Sequence, residues 1–313
     1  MTLKKFRYRE TGQWFKGNTH IHTTASDGGK KIREAADIYA GAGYDFIFIT
    51  DHGVCADTAL SCPHPPLKLF NGIELDGEDE RGSYYHVVCL GTVMGITGRY
   101  KLEDAMKQAR EQGALLILAH PRWCGNTMEE SIRHNFNGVE VYNHVCHWLN
   151  GKSDGLTYWD AMLEFNPGTH AFAADDAHLL PEHPGFNGGW IAVNAAELSE
   201  KSILEAIREG RFYSSCGPGF NSINLRKNLL EVETTPVKFI RLVGPGNKGW
   251  RRGSYNGEPI TRASIEIPED WDYIYLEIED EQGKRAWSNT LFVRDKDKEP
   301  SRFHGTAPDE IIR

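Results

Sequence analysis

Short apolar runs alternate with amphipathic segments over the first two thirds of the chain. Runs of this length and composition are typical of buried strands, and they lie at 45–50, 84–90, 114–119, 138–142, 170–174 and 190–193. Between some of them, single apolar stripes predict helices over 32–42, 102–112 and 198–209, the last with Ser199 as its N-cap. This alternation predicts a parallel α/β domain, and a barrel is the favoured arrangement.

The pattern changes after Gly217-Pro218-Gly219, because long helical patterns cease. Short strand-like runs separated by polar turns follow at 238–243, 263–267, 273–279 and 289–293. They predict a small antiparallel β domain, most simply a sandwich. We therefore expect an α/β domain over 1–218, a β domain over 219–295 and a charged tail over 296–313.

Composition restricts the class of protein further. The 313 residues include 35 Lys and Arg against 44 Asp and Glu, a formal net charge of −9, which argues against a basic surface for long nucleic acids. The sequence lacks an apolar run of roughly 18 residues, so we expect no membrane span. The six cysteines form no C-x-x-C pair, and no apolar segment follows the basic N-terminus. We therefore expect reduced thiols in a cytoplasmic protein.

The placement of the 13 histidines carries the chemistry. His20 and His22 are two residues apart in an extended segment, so their imidazoles point to the same side and can hold one metal ion. A pair of exposed strand histidines fits this spacing equally well. Asp27 follows in a Ser-Asp-Gly-Gly turn that can return its carboxylate toward the strand end, although Asp in such turns is often just an Asx-turn or cap residue.

Similar residues recur at or near the ends of later apolar runs, where parallel α/β domains build their sites. They are His52, Glu74, His86, His120, Asp176 and His178. Each by itself fits a satisfied core histidine or a turn former, but their repetition favours one shared site. Imidazole and carboxylate together suit Mn, Fe or Zn. Nine such groups are too many for one ion, so two or three ions are expected, with a carboxylate such as Glu74 bridging two of them.

These motifs, in this order, resemble the PHP (polymerase and histidinol phosphatase) family over roughly residues 17–180. The motifs are His20-Ile21-His22-Thr23, Ser26-Asp27-Gly28, Thr50-Asp51-His52, His120-Pro121 and Asp176-Ala177-His178. The resemblance implies a distorted seven-stranded (β/α) barrel with a metal cluster at the carboxyl ends of its strands. It also implies three ligand sets, which are His20, His22, Glu74 and Asp176; Glu74, His86 and His120; and Asp27, His52 and His178.

A narrower similarity, to CehA/McbA-like metallohydrolases, rests on Gly189-Trp190, on the segment 210–218 and on the segment 138–143. That branch includes enzymes that hydrolyse esters other than phosphates. The resemblance implies that the barrel is followed by a β domain.

Several polar residues outside the ligand sets are candidates for supporting roles. Asp51 could orient His52 or another ligand, or simply cap a turn, and Asp175 could likewise orient a ligand. Glu140 and Asn143 could lie behind the ligands or simply form a turn. Arg122 could clamp a phosphate or form a surface ion pair. His144 could protonate a leaving group or lie at the surface.

The leading hypothesis is therefore a metal-dependent phosphoesterase acting on a small phosphorylated substrate, a monoester or a diester. The absence of Gly-x-Ser-x-Gly and of Ser-His-Asp or Cys-His arrangements favours metal-activated water as the nucleophile. The alternatives are hydrolysis of a carboxylic or carbamate ester or an amide, exonuclease action on short oligonucleotides, and a catalytically silent scaffold. The intact ligand set argues against the silent scaffold.

Overall fold

The computed structural model describes residues 5–8, 12–96, 98–183 and 185–293; the predicted tail over 296–313 lies outside them. The helices are α1 (Ile32–Gly41), α2 (Thr58–Ser61), α3 (Leu102–Glu111), α4 (Pro121–Cys124), α5 (Met128–Arg133), α6 (His144–Asn150), α7 (Leu156–Phe165) and α8 (Glu200–Arg208). The strands of the first two thirds are β1 (Lys5–Phe6), β2 (Gln13–Asn18), β3 (Phe46–Ile49), β4 (Lys68–Glu78), β5 (Tyr84–Leu90), β6 (Leu115–Leu118), β7 (Gly138–Asn143), β8 (His170–Ala174), β9 (Trp190–Ala195) and β10 (Phe212–Ser215). The later strands are β11 (Phe220–Arg226), β12 (Leu229–Val237), β13 (Phe239–Val243), β14 (Gly249–Gly253), β15 (Ile260–Glu266), β16 (Tyr275–Glu279), β17 (Arg285–Ser288) and β18 (Phe292–Val293).

Helices α1, α3 and α8 form where the apolar stripes predict them, within two residues at each end, whereas α7, which is as long as α1 and α3, was not predicted. Helix α1 buries Ala35, Ala36 and Tyr39 on one face. Helix α8 begins after Ser199, whose side chain accepts a hydrogen bond from the amide of Ser202 and thereby satisfies one of the free donors of the first turn. The chain leaves α8 at Gly210, whose φ of +69° suits a residue without Cβ. The predicted N-cap is confirmed.

Strands β2 to β8 are hydrogen-bonded in sequence order and form the seven-stranded distorted barrel that the resemblance implies. Four neighbouring pairs are parallel, namely β2/β3, β3/β4, β6/β7 and β7/β8. Strand β5 departs from the expected parallel order, since it runs antiparallel to both β4 and β6. The connection from β4 to β5 is too short for a parallel crossover, which takes roughly a dozen residues or more, so the two strands must form a hairpin.

The far side of the barrel is closed by β9 and β10. Strand β9 is antiparallel to β2, and β10 is antiparallel to β9. One buried side chain then connects β10 to β8, because the Ser214 hydroxyl donates to the carbonyl of Ala171 at 2.8 Å and accepts from the amide of Ala173 at 3.0 Å. A single serine therefore satisfies backbone groups of β8 at this seam.

The β domain is the predicted antiparallel sandwich. A three-stranded sheet of β11, β12 and β15 packs against β13, β14, β16 and β17. Its core includes Ile223, Leu230, Val232, Ile240, Leu242 and Ile278. The runs at 238–243, 263–267 and 273–279 correspond to β13, β15 and β16. Strands β11, β12 and β14 were not predicted. The strand predicted over 289–293 is wrong except for the two residues of β18. The strand that pairs with β10 and β16 is instead β17, at Arg285–Ser288.

Hydrogen bonding runs without a break from the barrel into the β domain. Strand β10 pairs with β17 of the sandwich, and near the N-terminus β1 pairs with β18. Tyr8 belongs to the sandwich core, and its hydroxyl donates to the carbonyl of Phe212 at 2.8 Å. The boundary after residue 218 stays a prediction. None of the six cysteines is in a disulfide.

Within the described residues, every helix falls short of the length and apolar character needed to cross a membrane.

Candidate metal centre

Backbone pairing at the carboxyl ends of the parallel strands draws three predicted ligand segments together. Ile21 follows β2 and forms a parallel bridge with Ala177, while its amide donates to the Thr50 hydroxyl at 2.9 Å. His52 in turn forms a parallel bridge with Glu74. The segments that follow β2, β3 and β8 are thereby fixed beside one another, and the predicted ligands 20, 22, 52, 176 and 178 share one edge of the barrel.

Glu74 is the centre of the cluster. It lies inside β4, which continues to Glu78, and not after the end of a strand as the sequence analysis expected. Its carboxylate is 1% exposed and faces five imidazoles. Oε2 lies 3.0 Å from His20 Nε2, 3.2 Å from His22 Nε2 and 3.3 Å from His52 Nδ1, and Oε1 lies 2.8 Å from His86 Nδ1 and 3.5 Å from His120 Nε2.

His86 reaches the cluster because β5 is reversed. It lies near the beginning of β5, where its neighbours in sequence pair with the second half of β4. In an antiparallel hairpin the start of the second strand meets the end of the first. A histidine early in β5 is therefore placed at the same edge as residues late in the parallel strands.

Asp176 and Asp27 complete the cluster on two sides. Asp176 Oδ1 lies 3.0 Å from His22 Nε2 and 3.3 Å from His20 Nε2. Asp27 Oδ2 lies 3.2 Å from His178 Nε2 and 3.8 Å from His52 Nε2. All nine predicted ligands thus meet at one site.

The structure groups the ligand atoms much as the resemblance implies. Groups whose atoms all lie within 4.8 Å of one another are His20, His22, Glu74 and Asp176; His22, Asp27, His52 and His178; His52, Glu74 and His86; and His20, His120 and Glu140. The first group is the first implied set, and the second contains the whole third set. In the third group His52 stands where the implied second set has His120.

The donors fit divalent metal ions. His20 Nε2, His22 Nδ1 and His52 Nδ1 are buried atoms without a hydrogen-bond partner, although carboxylate oxygens lie 3.0 to 3.6 Å away. A buried polar atom without a partner is costly unless something else satisfies it. Imidazole nitrogens beside carboxylates are the donor set that Mn, Fe and Zn prefer.

The electrostatics of the cluster favour a cation at its centre. Burial alone would lower the pKa of His20 and His22, but the surrounding carboxylates raise the pKa of His20 well above its ordinary value and that of His22 to about 9. Burial likewise opposes charge on Glu74, yet the neighbouring histidines hold its pKa well below the usual range. A bound metal ion supplies the same stabilisation in place of the protons.

A second layer of side chains orients the ligands. Glu140 lies on β7 and accepts from His20 Nδ1 at 2.8 Å, which leaves Nε2 free to face Glu74. The same carboxylate accepts from the backbone amide of His120 at 2.9 Å and from Asn143 Nδ2 at 2.8 Å. The prediction that Glu140 and Asn143 lie behind the ligands is confirmed.

Three backbone positions at the site are conformationally constrained. His120 and Asp176 have φ values of +25° and +55°, which costs energy for residues with a Cβ and is common at functional sites. A Cβ on Gly28 would lie 2.4 Å from the carbonyl oxygen of His22. Glycine is therefore required for the turn that carries Asp27 to pack against the His22 strand.

Asp51 supports the site in a different way from the one expected. Its buried carboxylate accepts from the amide and hydroxyl of Thr23 and from the hydroxyl of Ser26, each at 2.7 Å. These bonds hold the turn before Asp27 and do not orient His52. Asp175 similarly anchors a loop, since it accepts from the amides of residues 187–189 and from Asn18 and Tyr39.

Arg122 and His144 lie outside the cavity that contains the cluster. Arg122 is exposed on α4, and its side chain is not among those lining the cavity. His144 is turned toward Tyr142, whose hydroxyl lies 3.1 Å from its Nδ1, and packs against Gly188. The geometry therefore supports neither the phosphate clamp nor the proton donor that the sequence analysis considered.

Asp76 and Tyr84 were not predicted as site residues, and Trp123, for which simple packing was favoured over a place in a pocket wall, lines the cavity. Asp76 Oδ1 lies 3.3 Å from His52 Nδ1, and the Tyr84 hydroxyl lies 3.0 Å from His86 Nε2. The i, i+2 spacing of Glu74 and Asp76 along β4 was a usable signal, because it places both carboxylates on one face.

Asp76, Tyr84 and Trp123, together with seven of the nine predicted ligands, line a cavity of about 590 Å³. That volume lies within the range of roughly 300–1,000 Å³ typical of small-molecule sites.

Comparison with known proteins identifies the fold. No protein-family model matches the chain, and no curated protein matches it in sequence. Among solved structures, it is similar to a two-domain protein from Bacteroides vulgatus ATCC 8482 that contains a predicted PHP-like metal-dependent phosphoesterase. The TM-score is 0.52 at 14% identity, over 93% of this chain and 98% of that chain. The chain has a two-domain PHP-like fold.

Two further solved structures match parts of the chain at a TM-score of 0.41. One is an amidohydrolase from Chromobacterium violaceum with bound sulfate and no metal, 16% identical over 63% of this chain and 96% of that chain. The other, from Bifidobacterium adolescentis ATCC 15703, is assigned by prediction as a metal-dependent phosphoesterase, 11% identical over 62% of this chain and 96% of that chain. The narrower resemblance to the CehA/McbA-like branch stays a prediction.

Proposed function

We propose that this protein is a metal-dependent phosphoesterase that hydrolyses a small phosphate monoester or diester. The observation that carries the proposal is the convergence of nine imidazole and carboxylate groups at one site, where seven of them line a cavity of about 590 Å³. The two-domain PHP-like fold supports the same class of enzyme, since the similar Bacteroides protein is described as containing a metal-dependent phosphoesterase.

The ligand groups would hold two or three divalent ions, for which Mn, Fe and Zn are the candidates. Such ions lower the pKa of a bound water to about 7 and polarise a phosphoryl oxygen. The remaining tasks belong to the protein. Glu140 fixes the tautomer and orientation of His20, Asp51 fixes the turn that presents Asp27, and the Tyr84 hydroxyl lies on the cavity wall, where it can donate to a substrate oxygen.

The test compares 4-nitrophenyl phosphate, bis(4-nitrophenyl) phosphate and 4-nitrophenyl acetate as substrates of manganese-loaded protein. We expect phosphoester hydrolysis that His20→Ala abolishes together with metal binding. His147→Ala is the matched control, because His147 is exposed on α6 and outside the cavity. Full phosphoester turnover by His20→Ala would disprove the assignment of the cluster.

One observation favours a second candidate, a metal-dependent hydrolase of a carboxylic or carbamate ester or an amide. Among the residues that the structure describes, no lysine or arginine lines the cavity, whereas phosphate sites commonly include such a cation. Hydrolysis of the acetate alone, lost in His20→Ala and retained in His147→Ala, would establish this candidate in place of the phosphoesterase.

A further inference from the structure

Part of the cavity lining is apolar, and we call this part the apolar wall. It consists of Val145 and Leu149 on α6, together with Leu180 and the Trp123 ring. The Trp123 ring centroid lies 5.2 Å from that of His120 and 5.8 Å from that of His86, with the rings edge to face. An apolar group bound to this wall would therefore lie directly beside the cluster.

Part of the apolar wall is open to solvent in the free protein. Leu149 is 41% exposed and Trp123 is 38% exposed, whereas Val145 at the base of the wall is buried. Covering such surface with an apolar ligand is favourable by roughly 25 cal/mol per Å². A substrate with an apolar part beyond its reacting group would therefore gain binding free energy by covering this wall.

The charge of the cavity limits the charge of its substrate. Four carboxylates line it, those of residues 27, 74, 76 and 176, and Glu140 lies directly behind His20. Against these five negative charges, two or three divalent ions bring four or six positive ones, so the net charge is −1 or +1. Within the described part of the chain, lysine and arginine are absent from the lining. A substrate with one negative charge matches this balance better than a doubly charged phosphate monoester.

We propose that the substrate is a phosphodiester with a single negative charge and an aryl or similarly bulky apolar substituent that packs on Trp123, Val145, Leu149 and Leu180. This inference rests on the proposed phosphoesterase function and narrows it. In the reaction a bond forms from the water oxygen to phosphorus, the P–O bond to one alcohol or phenol breaks, and the leaving oxygen takes a proton. The apolar substituent remains on the wall and positions the phosphorus beside the cluster.

Binding of phosphinates tests the apolar wall without turnover. Diphenylphosphinate and dimethylphosphinate both carry one negative charge and cannot be hydrolysed at the P–C bond, and phenylphosphonate adds a doubly charged aryl comparison. By isothermal titration of manganese-loaded protein, we expect diphenylphosphinate to bind about tenfold more tightly than either of the others, which corresponds to the burial of one additional apolar group. Equal affinity of the two phosphinates would overturn the proposal, as would tighter binding of phenylphosphonate.

Hydrolysis provides the second measurement. 4-Nitrophenyl phenyl phosphate and methyl 4-nitrophenyl phosphate share charge and leaving group and differ in the retained substituent. We expect kcat/KM to favour the phenyl compound by about tenfold, and Leu149→Asn to reduce this preference to about threefold. Leu60→Asn is the matched control, because Leu60 is 80% exposed on α2 and away from the cavity; it should leave the preference unchanged.

The outcomes separate this inference from the proposed function. Equal turnover of the two diesters, abolished by His20→Ala, would refute the apolar substituent and leave the phosphoesterase intact. Turnover of 4-nitrophenyl acetate but of neither diester would refute both. A wild-type preference for the phenyl diester that Leu149→Asn does not alter would place the substituent elsewhere and would also overturn the proposal.

Discussion

The buried carboxylate of Asp51 accepts hydrogen bonds from the residues of a turn and not from a predicted ligand. The chain from Thr23 to Gly28 forms a turn in which the amides of Ser26 and Gly28 both donate to the carbonyl of Thr23. Three short hydrogen bonds from Thr23 and Ser26 satisfy Asp51. The position of Asp27, at the outer side of the cluster, therefore depends on a residue that does not face the cavity.

Asp51→Asn is expected to weaken metal binding without unfolding the protein. The amide nitrogen of asparagine cannot accept the bonds that a second carboxylate oxygen accepts, so the turn before Asp27 loosens. We expect about a tenfold loss of affinity for the most weakly bound ion, the usual scale for residues that support a ligand, measured by metal titration with circular dichroism as a check on folding. Asp57→Asn is the control, because asparagine caps α2 as well as aspartate does; equal metal affinity of the two variants would contradict this role of Asp51.

His170 makes the stability of the protein sensitive to acid. It is buried under the barrel, its Nε2 donates to the carbonyl of Arg208 at 3.1 Å, and its Nδ1 has no hydrogen-bond partner. Burial, and secondarily the nearby Arg7, lowers the pKa of His170 from 6.5 to about 3. The unfolded chain therefore takes up a proton below pH 6.5 that the folded protein does not, and stability falls as the pH drops from 6.5 toward 3.

Substitution of His170 by glutamine should remove this dependence, because glutamine can donate the same bond and does not titrate. From pH 6.5 to about pH 5 we expect wild type to lose about 2 kcal/mol more in free energy of unfolding than His170→Gln. Urea denaturation of both proteins at the two pH values measures the difference. Parallel pH profiles would show that folding does not shift the pKa of His170.

At the scale of elements, the order of the strands explains how the site is assembled. Parallel strands bring their carboxyl ends to one edge, and the reversed β5 contributes His86 from its beginning. The same barrel must also close between β8 and β10, where Ser214 supplies hydrogen bonds from a side chain. Ala173 in this seam lies two residues before Asp175 and three before Asp176, which follow the end of β8.

Ser214→Ala is expected to destabilise the protein by about 1–3 kcal/mol, because it leaves the amide of Ala173 and the carbonyl of Ala171 buried without that partner. Chemical denaturation measures the change. Ser222→Ala on β11, whose hydroxyl contact is exposed, should alter stability by less than about 0.5 kcal/mol. Similar losses in the two variants would show that the seam does not depend on Ser214.

At the scale of the whole molecule, the barrel and the sandwich share one hydrogen-bonded sheet. Asn289 follows β17 and joins three segments, since its Oδ1 accepts from Ala171 on β8, its Nδ2 donates to the carbonyl of Phe212 on β10, and its amide donates to the hydroxyl of Tyr8. The end of the sandwich thereby holds the base of the barrel. We expect the two parts to unfold as one cooperative unit.

Asn289→Ala should therefore lower the stability of the entire molecule. The substitution leaves the buried amide of Ala171 without this acceptor and removes one of two donors to the carbonyl of Phe212. We expect a cost of about 1–3 kcal/mol and a single calorimetric transition at a lower Tm. Tyrosine and tryptophan fluorescence should report the same midpoint as circular dichroism. Two separate transitions, with the sandwich alone destabilised, would show that the parts are energetically independent.

The sequence by itself determined many of the local elements and the nine predicted ligands that the structure brings together. The barrel strands β3 and β5 to β8 and the helices α1, α3 and α8 follow from apolar periodicity, which reflects burial on one face and is encoded over a few residues. His20, His22, His52, His120 and His178 could be identified because imidazoles at strand ends have few other reasons to recur. The sandwich strands β11, β12 and β14 were harder to predict, since exposed and partly buried strands carry weaker patterns.

Only the tertiary structure decided which side chains share the cavity. The reversal of β5, the central place of Glu74 and the addition of Asp76 depend on strand pairing between distant segments. The orientation of Arg122 and His144 away from the cavity depends on how α4 and α6 are rotated against the barrel. A sequence pattern reports the burial of a residue along its own element, whereas the partner it faces is set by the packing of other elements, which no local pattern records.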